Sequence, residues 1–426
     1  MKKTMKYLQK RAATRPFSGR FDRRRVYRRA VVIPALGEGE LLPATLRSLS
    51  ANTPAHILDD TFVLVIVNNR PPQAGDTENS TRLQIYTQDN ARTLKWLETE
   101  SSQIPLHLAW IDASSPGKEL PSRGGVGLAR KIGCDSVLAY LKEAENPIPL
   151  EEFIFFSLDA DTLVSPDYLD TAGRKLFASG KAGGVISFQH HKADTEEGQI
   201  TIDAYECFLN AYVDGLRRAG SPYAFHTVGS CLCFTARGYI RANGFPAQRQ
   251  AGEDFYFCME LIKTGGMCEI HDTKVFPSSR MSRRVPFGTG RRMAEALLNG
   301  KNDMMVYDDR VFMALGELLS VISASLDKDA EHIYTCIHHP LTKDFLKGRG
   351  FSQVWARFRE QHKNKAALLS AFHGWFDGFV TLKYIHWLTE HAWPRQPLEP
   401  MTTYLNHAPF SSSLPPFPKS IRETDR

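Results

Sequence analysis

The chain has 426 residues with 42% hydrophobic and 23% charged, enough to bury one large core and a smaller satellite, which excludes disorder throughout. Its formal charge of +6 is uneven: residues 1–29 hold twelve Lys or Arg against the single acid Asp22, so the other 397 residues sum to −5. The basic balance therefore belongs to one segment and argues against a body built to bind nucleic acid.

Residues 1–29 read as a flexible basic arm, with no apolar run long enough for an export signal, and with peripheral contact to an anionic membrane surface as its functional possibility. An apolar run at 30–33, stopped by Pro34, is the first strand, and Leu42, Leu46 and Leu49 then recur at helical spacing. Residues 62–67 (FVLVIV) are β-branched and apolar without alternation, as in a central parallel strand buried on both faces, and end at Asn68-Asn69. A third strand at 106–111 and a glycine-rich turn at 123–127 lead into a helix, and a fourth strand covers 153–158. Ser165-Pro166 predicts the cap of a helix at 167–179. A strand at 184–188, a helix at about 200–217, a strand at 230–234 and a helix from Glu253, closed by Gly265-Gly266, complete this half. Beyond residue 300 strands are not expected; 308–326, 351–370 and 371–390 read as helices, the spacing of Phe372, Trp375, Phe376 and Phe379 fits helix packing, and 409–426 reads as a flexible tail.

This alternation predicts an α/β fold, a mostly parallel sheet with helices on both faces, spanning 30–299, plus a helical C-terminal region at 300–408. Ligands of such sheets bind outside the strand C-termini, so the loops after Ile33, Val67 and Leu158 are expected to converge on one site. No stretch reaches the roughly 20 apolar residues of a membrane span. Seven cysteines form an odd set without a CxxC pair, which fits reduced thiols and a cytoplasmic location.

Asp159-Ala-Asp161 delivers two carboxylates to the sheet's C-terminal edge, where like charges need a cation; Mg²⁺ or Mn²⁺, held by one or two carboxylates and a bound diphosphate, is the natural partner. With this segment the chain resembles family-2 glycosyltransferases. The resemblance rests on an ordered set: VVIPALGE at 31–38 and LLPATLRSL at 41–49, GVGLARK at 125–131, LDADT at 158–162 with SPDYL at 165–169, GFP at 244–246 with GEDF at 252–255, and RMSRR at 280–284. Together these cover about residues 30–290.

The resemblance implies a GT-A fold and a metal-dependent glycosyltransferase that moves a sugar from a nucleotide-diphosphate-sugar donor to an acceptor hydroxyl, with inversion. It implies Asp254 as base, supported by Glu253, with the helix N-terminus favouring the ionised form of Asp254. Asp161 and Asp159 are implied for the metal, Mn²⁺ or Mg²⁺. Pro34, Ala35, Glu38, Asn68, Arg130, Asp159, Arg280, Arg283 and Arg284 are implied for the donor, since guanidinium forks suit a diphosphate. The acceptor, whether saccharide, lipid-linked or small molecule, is not named by the sequence. The chain departs from the family where Asn68 and Asn69 stand in place of a base-contacting Asp, and where Leu36 and Gly37 replace the common Tyr-Asn. His271 is expected to be structural, and His190 and His191 read as exposed strand-end histidines, with contact to sugar or acceptor as their functional possibility. The alternatives are a retaining transferase, a nucleotidyltransferase of the same fold, or a nucleotide-sugar-binding scaffold without turnover; the nucleotidyltransferase would need a G-G-x-G-T-R loop where this chain has PALGE at 34–38.

Overall fold

The structure is a computed structural model that describes residues 2–71, 77–143, 148–247, 252–280 and 304–398. Nine strands form one sheet: β1 (Ser18–Arg20), β2 (Arg29–Ala35), β3 (Thr61–Asn68), β4 (His107–Ala113), β5 (Ile154–Ser157), β6 (Leu163–Val164), β7 (Gly183–Phe188), β8 (Leu232–Thr235) and β9 (Met267–Phe276). Their spatial order is β1-β4-β3-β2-β5-β8-β7-β9-β6. The block β4-β3-β2-β5 is parallel throughout, β7 pairs parallel with β9, and β1, β6 and β8 run the other way. The expected α/β architecture with a mostly parallel sheet is what these strands build.

The continuous apolar runs are explained by layers on both faces. Val31, Ile33, Val63 and Val65 share a core with Leu42, Leu46 and Leu49 of the Leu42–Ser50 helix and with Tyr168, Leu169 and Leu176 of the Tyr168–Ser179 helix. The alternate positions face the helix Val126–Glu143, where Gly133 lies so close to Val32 and Ile66 that a Cβ on it would collide with both. Pro34 does not end β2, which runs on to Ala35. The Val32 carbonyl accepts from Leu158 N–H on the β5 side, and Pro34, two residues on, turns its nitrogen to that same side beyond the last pair with β5, where no ladder bond is lost.

Residues 2–29 are not a mobile arm. A helix, Lys2–Lys10, buries Tyr7, and β1 pairs antiparallel with β4. Phe17, Phe21 and Tyr27 cluster on Phe62 of β3 and on Tyr140, so scattered aromatics in a basic segment supply the burial that its composition conceals. A helix over Thr77–Thr99, which the polar sequence did not signal, lies between β3 and β4 in the chain. Asp167, not Ser165, holds the residue before the Tyr168–Ser179 helix.

The chain divides into two compact units, Met1–Asp194 with Thr227–Ala294, and Thr195–His226 with Glu295–Arg426. The expected boundaries at 299 and 300 are thereby corrected: the helix Glu196–Arg218 belongs with the C-terminal helices, because Gly215 lets the Phe312 ring pack directly on its backbone. The second unit has its own core of Leu315, Leu318, Ile333, Trp355, Phe372, Tyr384 and others, with Phe372 and Phe376 stacked at 5.6 Å. Its helices are Asp309–Ala324, Ala330–Cys336, Pro340–Gly348, Phe351–Gln361, Lys365–Trp375 and Gly378–His391, more and shorter than expected. A two-strand pair, β10 (Met305–Val306) with β11 (Gln396–Pro397), also departs from an all-helical region. The expected tail at 409–426 lies outside the described residues. No helix among the described residues is long and apolar enough to cross a membrane.

Candidate active site

Because β2, β3 and β5 are adjacent and parallel, their C-terminal loops open on the same edge. Ser157 ends β5, and the chain turns at once, with Thr162 N–H donating to the Asp159 carbonyl at 3.2 Å. The peptide between the aspartates is held from the far side: the Thr45 hydroxyl of the Leu42–Ser50 helix donates to the buried Ala160 carbonyl at 2.9 Å. Thr45 was not foreseen as a site residue; it lies in the apolar stripe that covers the sheet, and only the fold brings it under the turn.

Five carboxylates and two guanidiniums meet at this edge. Arg130, 3% exposed, donates through one nitrogen to Glu253 and through another to Asp159 at 2.5 Å. Burial alone would lower its pKa, but Asp159, Glu253 and Asp254 outweigh that cost and raise it, so it is always charged. Two glycines make the pairing possible. A Cβ on Gly229 would sit 2.5 Å from Arg130 Nη2, and one on Gly127 would sit 2.7 Å from the Glu253 Cβ. The glycine of the GVGLARK segment is thus the surface on which Glu253 rests. Arg280 donates to Glu38 and, at 2.9 Å, to Asp161. Here too burial opposes the charge and the two carboxylates overcome it, raising the pKa.

Glu253 and Asp254 open the helix Glu253–Gly265, whose preceding residue, Gly252, has the left-handed φ of 73°. Glu253 is buried, and burial raises its pKa against the opposing pull of Arg130. Asp254 remains partly exposed and accepts from Phe255 N–H at 2.8 Å. Its pKa is pushed up to about 7, by burial first and by the Glu253 charge second, with Arg130 and the Phe255 N–H pulling the other way. The expectation that the helix N-terminus keeps Asp254 readily ionised is therefore corrected: desolvation and a like charge exceed the effect of the helix end.

The loop after β2 is tied to the end of β3 by Asn90, which accepts from Gly37 N–H at 2.9 Å and donates to the Asn68 carbonyl at 3.0 Å. Asn68 and Asn69 are buried, and the Oδ1 of each has no hydrogen-bond partner among the described residues. For Asn69 the amide orientation is determined. Its Nδ2 donates to Thr87 Oγ1 at 3.1 Å, while the Thr87 hydroxyl spends its own proton on the Leu83 carbonyl. Over Gly37, next to Leu36, the Tyr86 side chain of the Thr77–Thr99 helix packs so closely that a Cβ would lie 2.6 Å from it.

Pro34 and Ala35 are buried in β2, below this loop. His191 lies near Asp161, and burial lowers its pKa. His190 is buried, not exposed as expected, with its ring edge-on to Phe188 at 5.7 Å, and His271 bonds Ser187 at 2.9 Å. Arg283 and Arg284 lie outside the described residues. All seven cysteines are free, and burial raises the thiol pKa of Cys231 and Cys258 near the carboxylates. Among the described residues no three Asp, Glu, His or Cys side chains are grouped to hold a metal ion unaided.

No family model matches the chain, and no curated protein sequence does. It is similar to solved structures of S. aureus TarS. For TarS 1–349 the identity is 13%, with 59% of this chain and 60% of that chain covered and a TM-score of 0.36. For TarS 1–349 in complex with UDP-GlcNAc the values are 14%, 73%, 70% and 0.36. The chain also resembles the mannosyltransferase PcManGT from Pyrobaculum calidifontis in complex with GDP-Man and Mn²⁺, at 16% identity, 86% and 91% coverage and a TM-score of 0.35. The match spans 60% of the first of these TarS 1–349 structures, less than two thirds of its length, and 36% of the longer TarS structure.

Proposed function

We propose that the chain is a glycosyltransferase that uses a nucleotide-diphosphate-sugar donor and a divalent cation and inverts the anomeric centre with Asp254 as base. The observation that carries this is the gathering of Glu38, Asp159, Asp161, Glu253 and Asp254 around Arg130 and Arg280 at the C-terminal edge of parallel strands. Five acids against two cations leave an excess of negative charge that a metal and its diphosphate would complete.

The residues fit such a group in chemistry. Asp161 accepts from the Arg280 guanidinium, and Asp159, two residues before it, accepts from Arg130 through Oδ1, so both carboxylates already face cationic partners. They would hold Mn²⁺ or Mg²⁺, which would offset charge on the departing diphosphate. Arg280, half-exposed between Glu38 and Asp161, is the guanidinium best placed to turn toward that diphosphate. Asn68 and Asn69 would offer their Oδ1 atoms to an N–H of the base, and Asn90 would keep the two loops in register. Asp254 would take the proton of the incoming hydroxyl; a pKa near 7 gives it both an ionised fraction at neutral pH and appreciable basicity. Glu253, buried and paired through Oε1 with Arg130, would act as support and not as a second base.

The experiment is transfer and donor binding measured side by side in Asp254→Asn and Asp161→Ala with Mn²⁺. Asp254→Asn should keep donor affinity within a few-fold while transfer falls by roughly 10² to 10⁴. Asp161→Ala should lose metal-dependent donor binding. Wild-type-like transfer by Asp254→Asn, or product retaining the donor's configuration, overturns the base assignment; undiminished metal-dependent binding by Asp161→Ala overturns the metal assignment.

A further inference from the structure

Beneath the acid cluster lies a second buried polar group that the proposed chemistry does not use. Asp135, 0% exposed, receives four donors: the Tyr7 hydroxyl at 2.8 Å and the Tyr239 hydroxyl at 2.9 Å on Oδ1, and Ala13 N–H at 2.7 Å and Lys131 Nζ at 3.0 Å on Oδ2. Lys131 also donates to the Tyr7 hydroxyl at 2.7 Å and lies over the Tyr7 ring. Both charges are removed from water, so each needs its full set of partners. Half of the donors to Asp135 come from residues 7 and 13, in the segment whose composition reads as a flexible basic arm.

The group touches both elements that shape the acid cluster. Lys131 and Asp135 stand on the helix Val126–Glu143, one and five residues from Arg130. On the other side is the turn at Asn243-Gly244, which leads through Phe245 and Pro246 toward Glu253. Gly244 has φ 72°, and a Cβ on it would strike the Tyr7 hydroxyl and lie 2.8 Å from that of Tyr239. The Pro246 carbonyl in turn faces Gly127, 3.1 Å from where its Cβ would be, beside Glu253. The Tyr7 hydroxyl therefore occupies the seam between the helix that carries Arg130 and the turn that precedes Glu253.

We propose that Tyr7 is a positioning residue: through Lys131, Asp135 and the Gly244 turn, the Lys2–Lys10 helix sets the register of the Arg130–Glu253 pair and hence the placement of Asp254. The catalytic part of this inference rests on the function proposed above; the geometric part does not. It places an N-terminal element, distant in sequence from every acid it serves, inside the working machinery.

Tyr7→Phe removes the hydroxyl and keeps the ring. Tyr27→Phe is the control, because its hydroxyl bonds the Asp22 carbonyl within the same N-terminal segment and touches neither Lys131 nor Asp135. Two measurements are needed on both full-length variants. Hydrogen exchange at the amides of residues 253–256 should quicken several-fold in Tyr7→Phe and not in Tyr27→Phe, while exchange across β3 stays as in wild type. In the transfer reaction Tyr7→Phe should lower kcat by about tenfold with the donor KM within twofold, and Tyr27→Phe should change neither. Unchanged exchange at 253–256 in Tyr7→Phe overturns the proposal whatever reaction the protein performs. A changed KM with unchanged kcat overturns its catalytic part. The exchange difference in a protein that transfers no sugar would sustain the positioning and sink the glycosyltransferase assignment instead.

Discussion

Arg130 and Arg280 each bridge two carboxylates at the same sheet edge, yet one side chain is 3% exposed and the other 33%. Arg130 stands on a helix locked against the sheet, with Gly127 and Gly229 cleared for it and its partner, and with Glu253 equally buried. Arg280 follows β9, and its two partners come from loops after β2 and β5. Identical chemistry thus serves two ends. Where both partners are desolvated, the pair is a fixed part of the fold that cannot be opened without leaving a buried charge. Where water reaches the guanidinium and one partner, as at Arg280 and Asp161, exchange of that partner for a ligand's oxygen costs less.

The strongest way to break this comparison is Arg130→Met, which keeps most of the side chain's volume but strands Glu253. It should cost roughly 3–5 kcal/mol in urea unfolding, and Glu253→Gln in the same chain should recover part of the loss. A loss no larger than that of Arg280→Ala would mean that the two arginines are equivalent after all.

A second effect concerns Asp254, the acid next to Glu253. A carboxyl whose folded pKa is about 7 binds its proton more tightly folded than unfolded, where the usual value is near 3.9. The stabilisation this gives is complete below the unfolded value and is lost as pH rises through about 7. Asp254→Asn should therefore gain stability over wild type as pH rises from 5 to 8, by a few kcal/mol at most. Parallel stability curves across that range would show that Asp254 ionises at its ordinary pH.

A smaller effect on stability than that of Arg130→Met belongs to Arg280→Ala, expected at about 1 to 3 kcal/mol because buried Glu38 loses this partner while Asp161 can turn to water. Its affinity for UDP or GDP with Mn²⁺, measured by calorimetry, should nevertheless fall several-fold, which sharpens the contrast between a fixed and an exchangeable guanidinium.

What could be read from the sequence follows the range of the interaction that determines it. The runs at 30–33, 62–67 and 153–158 announce buried parallel strands by local composition, and the acids at 159, 161, 253 and 254 sit at element ends that local signals mark. Tyr7, Phe17, Phe21 and Tyr27 escaped notice because each stands alone among arginines and lysines, and no periodicity joins them. The Thr77–Thr99 helix is too polar to show a stripe, and β6 has two residues. Arg130 was legible as a candidate, but its pairing with Glu253 was not, since Glu253 is 123 positions away. The direction of the Asp254 shift was also beyond local inference, because a helix end is visible in sequence and burial beside Glu253 is not.

The Tyr7–Asp135 contact also has a bearing on synthesis. Its partners are 128 residues apart, so at ribosomal rates of about 5–20 residues per second Tyr7 waits on the order of ten seconds for Asp135, and longer for Tyr239. During that interval the first stretch must stay dissolved without its final partners. A segment whose lysines and arginines outnumber its aromatics suits that wait, whereas an apolar helix of the same length would seek other surfaces. The charge that hides its place in the fold is what lets it arrive there late.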